Sequence, residues 1–445
     1  MLYFNDIKVE FTCQGYEATH LGISPDKTKS VLFFESIEET KNIVCPVCSG
    51  EVYVHDNYQT HLSDIPLEYG MTSRCEFYGK RYKCRKCGHS FVKETPFCYP
   101  GTRITERAAT WIKGMLKNKV SIKSIQELTG IHWDTIHKIQ IEYMQTMIDD
   151  RQNELRKEDY HPKYLAVDEF AIHKGHSYAT SVMDIETGDV LWVGKGRTLK
   201  DFAKFFEEIS PDTLSAVIAV AMDMNASYNK LVQTNMPYAE IVYDRYHMQA
   251  QFGKEVLGVV RLEEARKHQK TSKEILNTIV DETSADERRE IKAISKAEKR
   301  AYSKLKSSRW TLLMNREKLS ENRNEYLEDI LQNHHDLAVC YAMKEEMCDL
   351  FKLTDKIEAE KRWTEWFNAA KASEIPALVK FAQLKEKRLP GLIAHAEHPI
   401  STGKLEGFNN KIKVAKRIGY GYRDDDFFFL LVKFISLPSV RHHSP

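Results

Sequence analysis

The chain has 445 residues, 42% of them hydrophobic, and a formal net charge of +1, which predicts a globular protein of about three domains. No run approaches the roughly 18–20 apolar residues of a membrane span, and the N-terminus lacks a basic region followed by an apolar stretch. We therefore expect a cytoplasmic protein without a membrane partner. Nine cysteines, four of them in two C-x-x-C pairs, fit metal ligation better than a secreted disulfide scaffold.

Two stretches of the chain are strongly basic. Residues 71–125 carry 13 Lys or Arg against 3 Glu, and residues 404–423 carry six against one. Either stretch can face nucleic acid, although a solvated basic surface is the ordinary alternative. The charge therefore indicates a nucleic-acid partner only in combination with the motifs below.

Changes of pattern divide the chain into successive regions. Residues 1–42 hold short alternating apolar runs with no assigned role, and the cysteine-rich stretch after them predicts a module of short strands and turns. Helical patterns follow, then the charged linker RQNELRKEDYHPK, short β-rich runs, a long charged helical stretch and a compact tail. The predicted domains span residues 1–100, 101–150, 160–248, 249–390 and 391–445.

The two cysteine pairs predict a structural zinc site. Cys45 and Cys48, like Cys84 and Cys87, stand one tight turn apart, which suits two corners of a Zn²⁺ tetrahedron. The 35 residues between the pairs imply an intervening hairpin. Four further side chains are able to replace one ligand: His55, His61, Cys75 and His89.

The segment SIKSIQELTGIHWDTIHKIQ predicts a helix-turn-helix. Ser121 caps a helix whose inner face is Ile122, Ile125 and Leu128, and Gly130 permits the turn into a second helix. A helical hairpin inside a core is the alternative. Four positions at the start of the second helix are expected to be exposed and to reach DNA: His132, Trp133, Thr135 and Lys138.

Two carboxylates follow apolar runs that read as strands. Asp168 closes the run in KYLAVDEFAIH, and Asp223 closes LSAVIAVAMDM. The order of three strands, helix, strand, helix, strand is the RNase H-like arrangement, in which the first and fourth strands are neighbours. We therefore expect Asp168 and Asp223 to lie together.

A third carboxylate is expected because two-metal phosphodiester chemistry uses acidic oxygen ligands for Mg²⁺ or Mn²⁺. Glu406 is the candidate, on a predicted helix where Asn409 or Asn410, Lys413 and Arg417 share its face. Glu169 competes with Asp168 as a ligand, although strand alternation turns it to the opposite face.

At this point the sequence resembles the DDE transposases of bacterial insertion sequences, and most closely the ISL3 family. The resemblance covers nearly the whole chain and rests on the cysteine pairs, the helix-turn-helix, VDEFAIHKGHSYAT, AVAMDMNASY, YDRYHMQ, a long helical insertion and STGKLEGFNNKIKVAKRIGYGYRD. It implies Asp168, Asp223 and Glu406 as the catalytic triad and as ligands of two Mg²⁺ or Mn²⁺ ions, with His247 as a helper.

The resemblance also implies an architecture and a function. We expect an α+β multidomain chain: an N-terminal zinc ribbon, a helix-turn-helix, and an RNase H-like α/β catalytic core interrupted by an all-helical insertion. Its partners would be double-stranded terminal inverted repeats, target DNA and a second copy of the chain, at a bacterial nucleoid-associated location. The alternatives are a catalytically inactive DNA-binding regulator and a structure-specific RNase H-like nuclease.

One residue of the insertion, Trp310, has two interpretations. Basic and apolar residues flank it in KSSRWTLLMNREKLS. A buried core tryptophan is the favoured interpretation, because aromatic side chains mainly serve packing. In some related transposases an insertion-domain tryptophan stacks on an unstacked base near the cut, so DNA contact is the second interpretation.

Overall fold

The computed structural model describes residues 12–13, 15–173, 177–281, 283–419 and 422–441. The chain divides into two compact units, Met1–Asp150 and Arg151–Pro445. Residues 174–176 and 420–421 of the motifs quoted above, and residues 1–11 and 14 of the N-terminal segment, lie outside the described residues. None of the helices in the described ranges is long and apolar enough to cross a membrane.

The first unit contains a six-stranded sheet. Its strands are β1 (Thr12–Cys13), β2 (Tyr16–Ile23), β3 (Lys29–Ser36), β4 (Val52–Asp64), β5 (Thr72–Cys84) and β6 (Ser90–Val92). The order is β1-β2-β3-β5-β4, with β6 also paired to β5. Strands β3 and β5 are parallel and the other pairs are antiparallel. The stretch before residue 42, which had no assigned role, thus supplies three strands of this sheet.

The predicted hairpin between the cysteine pairs is confirmed. Strands β4 and β5 pair antiparallel from Val52↔Cys84 to Asp64↔Ser73. The prediction of short strands was wrong, because each of these strands has 13 residues. Alternation along β5 buries Cys75 and Phe77 with Phe34 and Leu62 in one small core, on the sheet in which β5 also pairs with β3.

Three helices complete this part of the chain: α1 (Glu106–Lys117), α2 (Ile122–Thr129) and α3 (Trp133–Lys157). Ser121 caps α2 by accepting from Ser124 N, and Gly130 ends it with φ of 69°, both as predicted. Residues 151–157, the first part of the predicted linker, are helical and continue α3. That segment has no Gly or Pro, and Arg151 pairs with Glu154 along the helix.

The second unit contains a five-stranded mixed sheet. Its strands are β7 (Tyr164–His173), β8 (Ser177–Asp184), β9 (Val190–Lys195), β10 (Ala219–Met222) and β11 (Glu240–Tyr243). The order is β11-β10-β7-β8-β9. β7, β8 and β9 form an antiparallel meander, whereas β10 pairs parallel with both β7 and β11. The first and fourth strands are therefore neighbours, as the order of elements predicted.

Strand β7 is longer than its apolar run suggested. We read KYLAVDEFAIH as a strand and expected Asp168 at a strand end; β7 covers this segment and pairs with β8 as far as His173↔Ser177. Hydrogen bonds of this hairpin extend the strand past the apolar residues, so Asp168 lies in mid-strand. Asp223 follows the last residue of β10 directly, as predicted.

Helices cover the sheet and form the region after it. They are α4 (Leu199–Glu208), α5 (Pro211–Ser215), α6 (Ala226–Asn235), α7 (Arg245–Phe252), α8 (Gly258–Asn277), α9 (Ala285–Ser307), α10 (Arg309–Leu313), α11 (Glu321–Asn333), α12 (His335–Leu350), α13 (Lys356–Ala372), α14 (Pro376–Glu386), α15 (Leu389–Glu397), α16 (Gly403–Ile418), α17 (Asp425–Ser436) and α18 (Pro438–Arg441). A π-helical turn over Gly253–Leu257 joins α7 to α8. Helices thus occupy most of the chain between β11 and α16.

The two faces of the second sheet carry different cores. Leu165 and Val167 of β7 face the large core formed with the helices after β9. On the other face, Phe170 packs with Phe408 of α16 and Phe428 of α17. Each fully buried side chain of this size contributes roughly 1.5–3 kcal/mol to folding. This packing fixes α16 against the strand that carries Asp168.

Candidate functional site

The four predicted cysteines form one cluster in the first unit. Cys45 Sγ lies 3.6 Å from Cys87 Sγ, and Cys48 Sγ lies 3.5 Å from Cys84 Sγ. A Zn–S bond of about 2.3 Å gives tetrahedral S–S edges of about 3.8 Å, so these sulfurs fit a zinc ion. The group of four contains none of the alternative ligands His55, His61, Cys75 and His89.

Two matching turns hold this cluster. Ser49 and Gly88, each directly after its C-x-x-C pair, have φ of 53° and 71°. The backbone N–H groups of Lys86 and Cys87 donate to Cys84 Sγ over 3.3 and 3.4 Å. The bond from Cys87 N is the main cause that lowers the pKa of Cys84 to about 6, which favours the thiolate that metals bind.

The start of α3 presents a mixed surface. His132 and Trp133 are exposed as expected, and the Trp133 ring stacks on His137 at 4.5 Å. Thr135 and Lys138 are half-buried rather than exposed. Lys138 lies against its own unit because its Nζ donates to Gly101 O over 3.0 Å. Of the four residues predicted to reach DNA, His132 and Trp133 are therefore the two that are exposed to solvent.

Strands β7 and β10 bring two carboxylates to one place. Their parallel register pairs Ala166 with Ala221, and Asp168 and Asp223 each stand two residues further on. Both side chains are half-buried. Burial raises the pKa of Asp168, and the nearby charges of Asp223 and Glu406 add to the rise. The hydrogen bond from Glu169 N and the charge of His247 oppose it. Asp168 thus interacts electrostatically with each of the other three predicted site residues.

Helix α16 contacts Asp168 directly. Asn409 is buried and its Nδ2 donates to Asp168 Oδ2 over 2.7 Å, while its Oδ1 is buried without a hydrogen-bond partner. Glu406 lies one turn earlier and is exposed, as are Lys413 and Arg417 further along the helix. Of the two asparagines considered in the sequence, Asn409 is the one at the carboxylates. Asn410 is exposed and accepts from Lys413 Nζ.

The three carboxylates are not in close contact. Among the described residues, three or more ligand atoms lie within 4.8 Å of one another only in the cysteine cluster and in a group of Glu240, Glu397 and His398. In the latter group, Lys356 Nζ already pairs with Glu240 and Glu397 at 2.6 and 2.8 Å. One ammonium group therefore bridges these two carboxylates, whereas no such ion pair joins Asp168, Asp223 or Glu406 in the described ranges.

Glu169 lies on the opposite face of β7 from Asp168. Burial raises its pKa, with Asp223 as the next cause and Arg197 opposing the rise. On this face Thr180 and Tyr228 bond through their hydroxyl groups at 2.7 Å. Glu169 is therefore close enough to Asp223 to interact with it electrostatically, from the other side of the strand.

Comparison with known proteins decides the family. A family model described as "Transposase" matches residues 165–432, which include all three carboxylates. The transposase for insertion sequence element IS1001 of Bordetella parapertussis is 30% identical over 425 residues, 94% of this chain and 95% of that protein. The chain belongs to the DDE transposases of the ISL3 family. The transposase for insertion sequence element IS1557 of Mycobacterium tuberculosis is 24% identical to this transposase over 259 residues, 58% of this chain and 56% of that protein.

Sequence reasoning missed one residue near this site of the transposase. Asp244, directly after β11, is 3% exposed and caps α7 by accepting from Tyr246 N and His247 N. The available signal was the aspartate at the start of YDRYHMQ, because Asp is a preferred N-cap residue. The cap fixes the first turn of α7, which carries His247.

Trp310 of the transposase is not a core residue. Its side chain is 70% exposed, so the prediction of a buried tryptophan was wrong. Arg309 covers one face of the ring at 5.3 Å. The short helix α10 is instead anchored by Leu312, which is buried while Trp310 points outward.

Two buried cations bond the helix ends on either side of Trp310, one at the end of α9 and one at the end of α10. Arg261 Nη1 donates to Leu305 O and Lys306 O at the end of α9, over 3.0 and 2.6 Å. Lys344 Nζ donates to Leu312 O and Met314 O at the end of α10, over 3.3 and 2.7 Å. Carbonyls at helix ends lack intrahelical partners, and positive charges stabilise them. The exposed Trp310 ring is therefore carried by a short helix whose two flanking helix ends are stabilised by hydrogen bonds.

Proposed function

We propose that this transposase binds the terminal inverted repeats of its insertion sequence and catalyses metal-dependent DNA cleavage and strand transfer. Asp168, Asp223 and Glu406 are the catalytic carboxylates of this proposal. The observation that carries it is the parallel pairing of β7 with β10, which aligns Asp168 with Asp223, while α16 packs on the same strand through Asn409. The core is RNase H-like, with the helices between β11 and α16 as an insertion.

The donor set fits divalent cations. Carboxylate and amide oxygens are the ligands that Mg²⁺ and Mn²⁺ prefer, and the unpartnered Oδ1 of Asn409 is a further oxygen at the site. Asp168, Asp223 and Glu406 would hold two such ions. When bound, the ions supply an activated nucleophile and stabilise the leaving oxygen.

The chain's own residues orient these reactants. Asn409 fixes Asp168 by its hydrogen bond, and Lys413 and Arg417 on the exposed face of α16 attract the phosphates. His247 donates an N–H to a phosphate oxygen. A water oxygen attacks phosphorus and loses its protons to solvent, while the P–O3′ bond breaks; the products are a 3′-hydroxyl at the element end and a 5′-phosphate on the flanking strand. The 3′-oxygen then loses its proton and attacks a target phosphodiester, displacing the target strand's 3′-oxygen, which takes up a proton.

DNA recognition is assigned to the first unit. The cysteine cluster holds structural zinc, and α2 with α3 forms the helix-turn-helix. His132 and Trp133 contact the repeats, with Thr135 and Lys138 at the edge of the contact. Phosphate contacts position the protein and base contacts specify the sequence. Two ends must be joined in one reaction, so the active form is a homodimer.

The test is cleavage and strand transfer on DNA that carries the element's own ends, with Mg²⁺ or Mn²⁺, against DNA with shuffled ends. If the protein acts as a transposase, we expect joined products from the true ends only. Binding of the true ends without metal-dependent cleavage would favour a catalytically inactive regulator. Cleavage of both DNAs without joining would favour a structure-specific nuclease.

Trp310 gives a separate prediction. We expect Trp310→Ala to change the free energy of unfolding by less than about 0.5 kcal/mol, because the ring is exposed. If the ring stacks on an unpaired base, the variant loses the permanganate reactivity of thymines at the bound element end. Tyr238→Ala, a change at another exposed aromatic residue, is the matched control. Unchanged reactivity in Trp310→Ala would contradict the stacking role.

A further inference from the structure

The carboxylate of Asp244 joins two segments that are distant in the sequence. Its Oδ1 accepts from Tyr246 N and His247 N at 2.8 and 3.2 Å. Its Oδ2 accepts from Thr402 N at 3.0 Å. One buried side chain therefore bonds both the first turn of α7 and the residue that precedes α16.

A second hydrogen bond links Thr402 to Glu406. Thr402 is 2% exposed, and its carbonyl accepts from Glu406 N over 2.8 Å in the first turn of α16. One turn later Asn409 is fixed to Asp168. Glu406 thus lies between two tethered points of its helix, although its own side chain is exposed.

We propose that Asp244 is a positioning residue that sets His247 and Glu406 relative to the other two carboxylates. This inference rests on the proposed function. Asp244 uses both oxygens as acceptors, and three backbone N–H groups depend on them. An amide in its place offers one acceptor and one donor. A carboxylate is therefore required to cap α7 and hold Thr402 at the same time.

Asp244→Asn distinguishes a positioning role of Asp244 from a role in stabilising the start of α7. Asn and Asp are equally good N-caps, so Asp244→Asn keeps the cap on α7. Its Nδ2 then faces the N–H of Thr402, and two donors cannot bond. The variant therefore loses the tether to α16 and keeps the helix start that carries His247.

Asp424 supplies the matched control. It caps α17 in the same way, with Oδ1 accepting from Asp426 N and Phe427 N at 3.0 and 3.1 Å. Among the described residues its carboxylate makes no bond to α16 or α7. Asp424→Asn is therefore the same chemical change at a cap without the tether.

The experiment measures two properties of the full-length, zinc-loaded protein without DNA. The first is hydrogen exchange of backbone amides in residues 400–406. The second is Mn²⁺ binding, from the electron paramagnetic resonance signal of free Mn²⁺. Loss of a hydrogen bond to a charged group predicts about tenfold faster exchange at Thr402 in Asp244→Asn. It also predicts weaker Mn²⁺ binding, in the direction of Glu406→Gln, with neither change in Asp424→Asn.

Each outcome decides a different point. Unchanged exchange in Asp244→Asn would overturn the tether. Faster exchange with unchanged Mn²⁺ binding would overturn the positioning role. Wild-type protein that binds no Mn²⁺ and cleaves no element ends would contradict the proposed function, and the positioning role with it, while the exchange data would still report on the tether.

Discussion

We expect Asp223→Asn and Glu406→Gln each to reduce metal-dependent cleavage of element ends by about a thousandfold, because each change removes the charge of a proposed metal ligand and forfeits several kcal/mol of transition-state stabilisation. Neither change opens a cavity, since each replaces an oxygen by an amide nitrogen on a side chain that is half-buried or exposed. Binding of the terminal repeats therefore stays at the wild-type level. Cleavage rate and end affinity are measured on the same DNA.

Glu207→Gln is the control for this prediction. Glu207 lies on the exposed side of α4, and Glu207→Gln is chemically the same change as Glu406→Gln. We expect wild-type cleavage from it. Equal losses in Glu207→Gln and Glu406→Gln, or near-normal cleavage by Asp223→Asn, would contradict the assignment of these carboxylates.

Removal of zinc is expected to weaken end binding strongly while the second unit stays folded. In small metal modules the free energy of metal binding is largely folding free energy, about 10–16 kcal/mol for structural zinc. Cys84→Ser removes one of the four sulfurs of the cluster, the one that accepts from the backbone N–H groups of Lys86 and Cys87. We therefore expect about a hundredfold weaker end binding from Cys84→Ser or chelated protein, measured by gel shift alongside zinc content.

Cys98→Ser is the matched control for zinc. Cys98 lies in the same unit, outside the cluster, and its thiol donates to the backbone carbonyls of Tyr99 and Thr102. We expect full zinc content and normal end binding from this variant. Tight end binding by a zinc-free protein would show that the cluster has no part in DNA recognition.

Local rules predicted the elements whose chemistry is local. The cap at Ser121 and the turn at Gly130 follow from side-chain and backbone preferences of those residues alone. The neighbour relation of β7 and β10 followed from the order of elements, and it brought Asp168 and Asp223 together. The cysteine spacing predicted the four-sulfur cluster directly.

Features that depend on distant partners were missed. Strand β7 runs past Asp168 because β8 continues to pair with it. Trp310 is exposed on a turn held by Arg261 and Lys344, which are far from it in the sequence. Asp244 and Thr402 bond across 158 positions, which no local pattern reveals. Periodicity reports the burial of a residue's own element and carries no information about such contacts.

The most direct test of the central claim is to locate the divalent cation on the chain. Fe²⁺ in place of Mg²⁺, with ascorbate and peroxide, generates hydroxyl radicals that cut the backbone beside the bound ion. The account predicts cuts in zinc-loaded protein near Asp168, Asp223 and Glu406, three places distant in sequence, and their loss in Glu406→Gln. Cuts confined to Glu240, Glu397 and His398, the other gathering of ligand atoms in the described residues, would contradict it.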